Sequence, residues 1–549
     1  MRAVSAAEGP WRPARHAASL LCVTLLGIAC YANSLRGPFV ADDASSIVDN
    51  GLLHDLGNYL GSLRGYEALP NRYLAYLTFA LNYRWGGLEV FGYHLVNLVI
   101  HLANAALVYG LVWLAFGTPR LAGSALVRSR GWVALLAAAL FVAHPIETAA
   151  VTYVAQRIAS LATFFYLLAA VQYLAWRSRR AAGDLGGAAS AARSLALLLT
   201  VLAAMKTKEI AFTLPLALLL LEVSFYGRPS ARTALLLVPL LATLGVIPLT
   251  LVDLGRGASI GQVEQTVRAG GLSRLDYLTT QFAVVGTYLR LLVLPIGQNL
   301  DWDYPVYRSL LAPAVALALA VHLALLGLAA FLYRGAARGR LDPAWRLVGA
   351  GVLWFFLALS VESSLIPIDD VIFEHRVYLP SAGLMAAAAT ALCLLAARLP
   401  RPRAAAVGLV ALVLALAAGT ALRNRVWGSA VSLWADVVEK SPRKPRAHLN
   451  LGKALDEAGD PAAAVPEYVA ALRLDPASPD AGNDLGVALF HLGRYDEAIA
   501  ELRSVVRLAP GYADAHLNLG MAYARKGWAE QANQEMSLGM RLQPGAAAP

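Results

Sequence analysis

The chain has 549 residues, 58% of them apolar and 15% charged, with a formal net charge of +10. Soluble domains carry charge on about a quarter of their residues, so this composition excludes an ordinary soluble enzyme and points to a membrane protein. Most of the Arg residues stand in short connectors between apolar runs, where cytoplasmic loops collect positive charge, so the basic balance reports topology and not a nucleic-acid partner.

Apolar runs long enough for a hydrocarbon core of about 30 Å recur along the chain. The first, at 17–33, follows Arg12 and Arg15 in the outline of a cleaved signal, but further spans follow at once and it reads as retained. Ten more follow at 91–116, 131–143, 158–176, 194–206, 209–226, 233–252, 311–333, 346–366, 378–397 and 404–422, giving eleven crossings. Connectors rich in Arg at 120–130, 177–180, 228–232, 334–346 and 398–403 belong in the cytoplasm. The stretch 277–295 would put the 334–346 connector outside if it crossed, and it carries Gln281, Arg290 and Pro295, so it reads as interfacial or re-entrant. On that topology the polar segments 33–72, 253–274 and 367–376 share the extracytoplasmic face, and the hinges at His144 and 206–209 point the same way. Cys22, Cys30 and Cys393 lie inside apolar segments without paired spacing, so neither a disulfide framework nor a zinc site follows.

Polar residues interrupt this pattern at a few places. Asp42 and Asp43 follow the first span; such a pair suits a base that accepts a hydroxyl proton while its neighbour orients it, or equally a solvated acidic loop. Asn71, Arg72 and Tyr73 come next. His94, Asn97 and His101 then share one helix face, a stripe that suits interhelical hydrogen bonding more than metal binding; no metal is assigned. His144-Pro145-Ile146-Glu147 closes a short span ahead of Gln156-Arg157. Lys206, Lys208 and Glu209 place charge at membrane depth, as a functional site, a structural Lys–Glu pair or a snorkelling Lys. Glu374-His375-Arg376-Val377-Tyr378 enters a later span after Asp369-Asp370; an Arg there can grip a phosphate through two nitrogens or anchor a helix start.

After Leu422 the composition changes. Leu451-Gly452, Leu485-Gly486 and Leu519-Gly520 recur every 34 residues, as do Pro442, Pro476, Pro510 and Pro544, with small residues at Ala464, Ala498 and Ala532. This is the signature of tetratricopeptide repeats, paired antiparallel helices that approach closely at small residues and end at Pro. Repeats are expected at 445–478, 479–512 and 513–546, in a domain 431–549 behind a membrane domain 1–430, with 431–441 as a partial leading unit or cap.

The stretches 39–50, 72–83 with 92–101, 144–157, 208–209 and 374–381, in this order and followed by the repeats, resemble the transmembrane and tetratricopeptide-repeat-containing O-mannosyltransferases of the GT-C class. The resemblance covers most of the chain; the region 254–307 matches loosely, chiefly at Asp301-Trp302-Asp303, and three repeats make a shorter array than the family often has. It implies an all-α fold, a polytopic membrane helical bundle followed by a short α-solenoid. It also implies inverting transfer of a sugar, mannose by analogy, from a polyprenyl-phosphate carrier to a hydroxyl of a polypeptide, on the extracytoplasmic face. Asp42, supported by Asp43, would take the acceptor proton, though the sequence does not separate the two. Arg376, then Lys208, Arg157 and Arg72, would meet the lipid phosphate, in the setting of Glu374, Tyr378 and His144. The lipid tail would lie against the bundle, and the repeats would present a polypeptide acceptor or dock a protein partner. Compact loops and heavy Ala, Leu and Arg usage suggest a bacterial relative and so an inner membrane. Two other classes fit the residues alone: an inert membrane anchor for a repeat scaffold, and a transporter or flippase with charge along its path.

Overall fold

A computed structural model describes every residue except 1–12, 63, 185, 230, 252–271, 365, 366, 369 and 544–549. Most of the polar segment expected at 253–274, together with Asp369 and Pro544, therefore lies outside the described residues. Among the described residues all regular structure is helical. The chain divides into two compact units, Met1–Gln298 with Tyr304–Arg425, and Asn299–Asp303 with Val426–Pro549.

The first unit is a membrane bundle. Seven of its described helices are long and apolar enough to cross: Pro13–Ser34, Val90–Phe116, Val154–Ala182, Gly187–Met205, Pro313–Ala337, Glu374–Ala396 and Pro402–Val426. Val127–Ala143 with Pro145–Val151, bent by 51°, makes an eighth if read as one broken span. The chain is thus a multi-pass membrane protein, with fewer full-length apolar helices than the eleven crossings expected. The reason is local breakage. The run 209–226 opens with a 3₁₀ stretch, Glu209–Thr213, and leaves only the 12 residues Leu214–Phe225 in the α-helix. Such a helix is about 18 Å long, well short of a hydrocarbon core. The run 233–252 breaks at Thr243–Gly245, and Trp345–Leu359 has 15 residues. The stretch 277–295 forms the helix Arg274–Val293, which buries Tyr277, Gln281 and Tyr288 and is not among the candidate spans.

Close approach inside the bundle rests on small residues, as lipid-embedded helices require. A Cβ on Gly351 would stand 2.3 Å from the Gly383 carbonyl oxygen, so Trp345–Leu359 and Tyr378–Ala396 cross with their backbones nearly touching. Outward, Leu195, Leu199, Leu317, Leu323, Val407 and Val410 stay exposed, an apolar surface suited to lipid.

In the second unit the 34-residue period becomes three helix pairs: Pro445–Glu457 with Pro461–Leu474, Pro479–His491 with Tyr495–Leu508, and Ala513–Arg525 with Ala529–Leu542. A leading helix, Ala430–Lys440, precedes them, started by a capping box at Ser429 and Ser432. Within each pair a Cβ on the repeating glycine would strike the partner helix: Gly452 at 2.6 Å from the Tyr468 ring, Gly486 at 2.6 Å from Leu502, and Gly520 at 2.6 Å from Met536. Ala464, Ala498 and Ala532 are buried opposite them. The turn between paired helices carries a second 34-residue marker, Gly459, Gly493 and Gly527, with φ of 85°, 74° and 79°, the left-handed conformation that ends a helix most cheaply at glycine.

Asn299–Asp303, from the middle of the sequence, joins this unit as a short non-helical strip. The Asp301 carboxylate is buried against Lys444 and takes two 2.8 Å bonds from Arg446. The Asn299 side chain and the Asp303 N–H both reach Ser441 Oγ, and Arg443 pairs with Asp303 at 2.9 Å.

Candidate active site

Beyond Pro13–Ser34 the chain turns back on itself at 40–43. The Asp43 N–H donates to the Val40 carbonyl at 3.0 Å, and the Val40 N–H returns a 2.9 Å bond to Asp43 Oδ2. Closing so short a loop places Ala41 at φ 49°, the sole non-glycine residue at positive φ among those described. That conformation costs an L-residue roughly 1–3 kcal/mol and is most often tolerated where function needs it. Its effect here is to send the two carboxylates in different directions.

Asp43 points inward and has no exposed surface. Its Oδ1 accepts the Ala155 N–H at 2.6 Å, so both carboxyl oxygens are held by backbone donors. Burial dominates its ionisation and pushes it up to about 7 from 3.8; the two N–H donors and the charge of Arg157 resist, and Asp42 adds to the rise. Asp42 points to solvent. Its N–H donates to the Tyr153 hydroxyl oxygen at 2.8 Å, and its charge acts on that phenol.

Arg157 lies beneath the pair with all three guanidinium nitrogens engaged. Nε donates to Asn97 Oδ1 at 2.7 Å, Nη1 to Asn82 Oδ1 at 2.6 Å and Nη2 to the Tyr93 carbonyl at 3.0 Å, while the group stacks 4.5 Å over the Phe79 ring. Fully buried and satisfied, it ties the 78–97 region to the carboxylate loop.

The other three cations gather elsewhere. The charges of Lys208, Arg376 and Arg72 all act on the His375 ring. Arg72 pairs with Glu209 at 3.3 Å and keeps 43% of its side chain exposed; the Glu209 charge is the main reason its guanidinium is held above its usual range. Lys208 pairs with Glu362 at 2.7 Å and is nearly buried. Arg376 is buried too, with Nη2 donating to the Asp370 carbonyl at 2.9 Å and Nη1 to that of Val371 at 3.3 Å. Arg72 stands at the start of Tyr73–Gly86, and Asn82 of the same helix holds Arg157. At 1.5 Å per residue, about 15 Å of helix separates the cation group from the Asn82–Arg157 contact beneath the carboxylates.

The remaining site residues hold the framework. His144 Nδ1 accepts the Ile146 N–H at 3.2 Å and its Nε2 donates to the Leu292 carbonyl at 3.1 Å, which caps the bent segment after Ala143. Gln298 Nε2 reaches both the Pro145 carbonyl at 3.0 Å and Glu374 Oε2 at 2.9 Å, bridging two turns. The Tyr378 hydroxyl bonds His101 Nδ1 at 2.7 Å and accepts from Asn104 at 3.1 Å. His94 bonds the Gly37 carbonyl and Asn97 serves Arg157, so the polar stripe of Val90–Phe116 is spent on hydrogen bonds between segments. No group of three or more His, Cys, Asp or Glu placed to hold a metal occurs among the described residues.

Sequence reasoning passed over Tyr153, Gln298 and Glu362. Glu362 lay within an expected span, where any carboxylate merits notice; nothing in the local sequence singled out the other two.

The tetratricopeptide repeat family pattern matches residues 416–479, 449–513 and 489–548. A protein O-mannosyl-transferase of Caenorhabditis elegans is 24% identical over 483 residues, covering 83% of this chain and 63% of its own. A second, from Drosophila melanogaster, is 34% identical over 179 residues, 29% of this chain and 19% of its own. The chain thus spans less than two thirds of the length of these relatives. Among solved structures, ArnT from Cupriavidus metallidurans bound to undecaprenyl phosphate aligns over 97% of this chain and 89% of its own, at 13% identity and a TM-score of 0.34, too low a likeness to carry an argument. The relatives bear out the family resemblance drawn from the motifs.

Proposed function

We propose that this chain is an integral-membrane glycosyltransferase that moves a hexosyl group, mannose by analogy with its relatives, from a polyprenyl-phosphate carrier to a Ser or Thr hydroxyl of a polypeptide. The observation that carries the reading is the unequal fate of the two carboxylates. Asp43 is buried and fully bonded by the backbone, whereas Asp42 faces solvent on a loop held in a strained turn. Such an arrangement suits one scaffold carboxylate and one working carboxylate.

In this reading Asp42 accepts the proton of the acceptor hydroxyl. The freed oxygen attacks the anomeric carbon from the face opposite the carrier, the carbon–oxygen bond to phosphate breaks, and configuration inverts. The bonding pair leaves on the lipid phosphate, whose growing charge needs cations already in place. Arg72 and Lys208 are the better candidates for that task. Arg72 is the most exposed of the group, and both hold carboxylate partners that a phosphate can replace. Arg376 and Arg157 are committed to protein oxygens and act as supports. The Arg-rich connectors support an extracytoplasmic side for the chemistry and the repeats, and the heavy Ala, Leu and Arg usage supports a bacterial inner membrane. The repeats serve the acceptor polypeptide or a protein partner.

The test is transfer of labelled mannose from a synthetic polyprenyl-phosphate mannose to a Ser/Thr-rich peptide by membranes holding the full-length protein. Product that disappears in Asp42→Asn at unchanged expression supports the reading. Undiminished product overturns it.

A further inference from the structure

Beside the cation group lies an open cleft of about 440 Å³, lined by Tyr66, Tyr73, Leu74, Leu202, Ala203 and Lys206. Small-molecule sites occupy about 300–1,000 Å³, so the cleft is large enough to hold a ligand. One wall is aromatic. Gly65 lets the turn Arg64–Ala68 lie on Tyr59, since a Cβ there would stand 2.3 Å from that ring, and the Tyr73 hydroxyl donates to the Tyr59 carbonyl at 2.7 Å. The Tyr66 and Tyr73 rings then meet edge to face, with 5.6 Å between centroids. The other wall is the end of Gly187–Met205. Leu195, Leu199, Leu202 and Lys206 stand at offsets of four, seven and eleven, on one face of that helix. Leu195 and Leu199 belong to the exposed apolar surface suited to lipid. The two walls join where the Leu74 N–H donates to the Lys206 carbonyl at 3.0 Å.

The leucine stripe therefore runs from the lipid-facing surface into the cleft and ends on a cation. Lys206 Nζ donates to the Tyr66 hydroxyl at 3.1 Å, stands 5.1 Å from the centroid of that ring, and pairs with no carboxylate among the described residues. Its neighbours Lys208 and Arg72, by contrast, already hold Glu362 and Glu209. An occupant that matches these walls is apolar along its length and anionic at one end. We propose that the cleft seats the isoprenoid chain of the carrier: the prenyl units nearest the phosphate lie between the two tyrosine rings and Leu202, and Lys206 meets the phosphate as it passes to Lys208 and Arg72. This rests on the reading of the chain as a polyprenyl-phosphate-dependent transferase. The rings and leucines take prenyl surface out of water, and the ammonium gains the anion it lacks. A bare sugar fits these walls poorly. Its many hydroxyls would meet one ammonium and two phenols, and the Tyr73 phenol is already bonded to Tyr59.

The experiment uses the full-length protein in phosphatidylcholine nanodiscs and farnesyl phosphate with a photoreactive diazirine on its first prenyl unit. Mass spectrometry reads the cross-linked residues. The label should fall within 66–74 or 202–206 and be displaced by unlabelled farnesyl phosphate, with farnesol and inorganic phosphate each about tenfold weaker or worse. Lys206→Ala should weaken farnesyl phosphate about tenfold, and Ala203→Trp, which fills the cleft, should remove the label. Label elsewhere in the bundle, or equal displacement by farnesol, overturns the proposal. Displacement by mannose or a Ser/Thr-rich peptide, with none by farnesyl phosphate, gives the cleft to the sugar or the acceptor and overturns it equally. Labelling and competition need no variant, so a misfolded Ala203→Trp leaves the test intact. Mannose transfer measured in the same nanodiscs separates the two ideas. Transfer without label in the cleft sinks the cleft alone; label in the cleft without transfer from any donor removes the transferase reading and keeps a prenyl-phosphate seat.

Discussion

Asp43 and Ala155, 112 residues apart in the sequence, are joined by a 2.6 Å hydrogen bond from the Ala155 N–H to Asp43 Oδ1. This contact converts two adjacent aspartates of equal appearance into an inner and an outer one. It also fixes what should happen when either is changed.

Asp43→Asn replaces one acceptor oxygen by an NH₂ group, which then faces a backbone N–H. A buried donor left without a partner costs roughly 1–3 kcal/mol. Thermal unfolding of the purified protein should show a lowered midpoint for Asp43→Asn and none for Asp42→Asn. Equal midpoints for the two variants would contradict the inner and outer assignment.

The Asp43 carboxyl also predicts a pH dependence of stability. Its folded value of about 7 lies above the 3.8 of an ordinary aspartate. Between those two values the unfolded chain sheds the proton and the folded one keeps it, so the unfolded state binds fewer protons and stability falls as pH rises. The contribution is fully present below about pH 4 and is lost as pH rises through about 7. Melting midpoints at pH 5, 6, 7 and 8 should decline by less in Asp43→Asn than in the parent protein.

Arg72 and Arg157 should part company in kinetics and folding. Arg72→Ala removes a half-exposed cation from one ion pair, so unfolding should hardly change while KM for the lipid donor rises, by about tenfold if the lost contact is worth about 1.4 kcal/mol. Arg157→Ala strands the Asn82 and Asn97 oxygens and the Tyr93 carbonyl in a buried site, a loss of several kcal/mol. A folded, soluble Arg157→Ala with altered donor KM would argue that this guanidinium reaches the ligand after all.

The repeating glycines should not be equivalent. A Cβ on Gly520 meets main-chain atoms, the Ala532 oxygen at 3.0 Å and the Met536 nitrogen at 3.1 Å, while one on Gly486 meets only the Leu502 side chain. Side chains yield more readily than backbone, so Gly520→Ala should destabilise the repeat unit more than Gly486→Ala, with costs of about 1–3 kcal/mol. Limited proteolysis of the full-length variants, followed at the C-terminal end, ranks them.

The contrast between these residues also shows why some features could be read from sequence and others not. The repeats were legible because each contact that demands a small residue recurs every 34 positions, from Gly452 against Tyr468 to Gly520 against Met536. Long apolar helices were legible for the same reason, since lipid writes composition directly into them. The short pieces were not: Leu214–Phe225 is as apolar as a true span, and only the 3₁₀ stretch before it shortens the helix. Nor could the sequence divide Asp42 from Asp43, since the division depends on Ala41 at φ 49° and on a donor from Ala155. The commitment of Arg157 to protein oxygens is equally hidden in the sequence, because its acceptors, Asn82, Asn97 and the Tyr93 carbonyl, lie 60 or more residues away.

The strip Asn299–Asp303 makes the repeat unit discontinuous. A single cut near Val426, where the sequence suggests an obvious boundary, would release the helices but leave behind the strip that lies against their leading end. Lys444 and Arg446 would then lose the Asp301 carboxylate, and Ser441 Oγ its bonds to Asn299 and to the Asp303 N–H. A fragment intended for study alone should therefore carry a copy of this strip, joined by a linker or added as a peptide. By the same logic, an insertion anywhere in 299–303 should register in the C-terminal repeats, more than a hundred residues downstream.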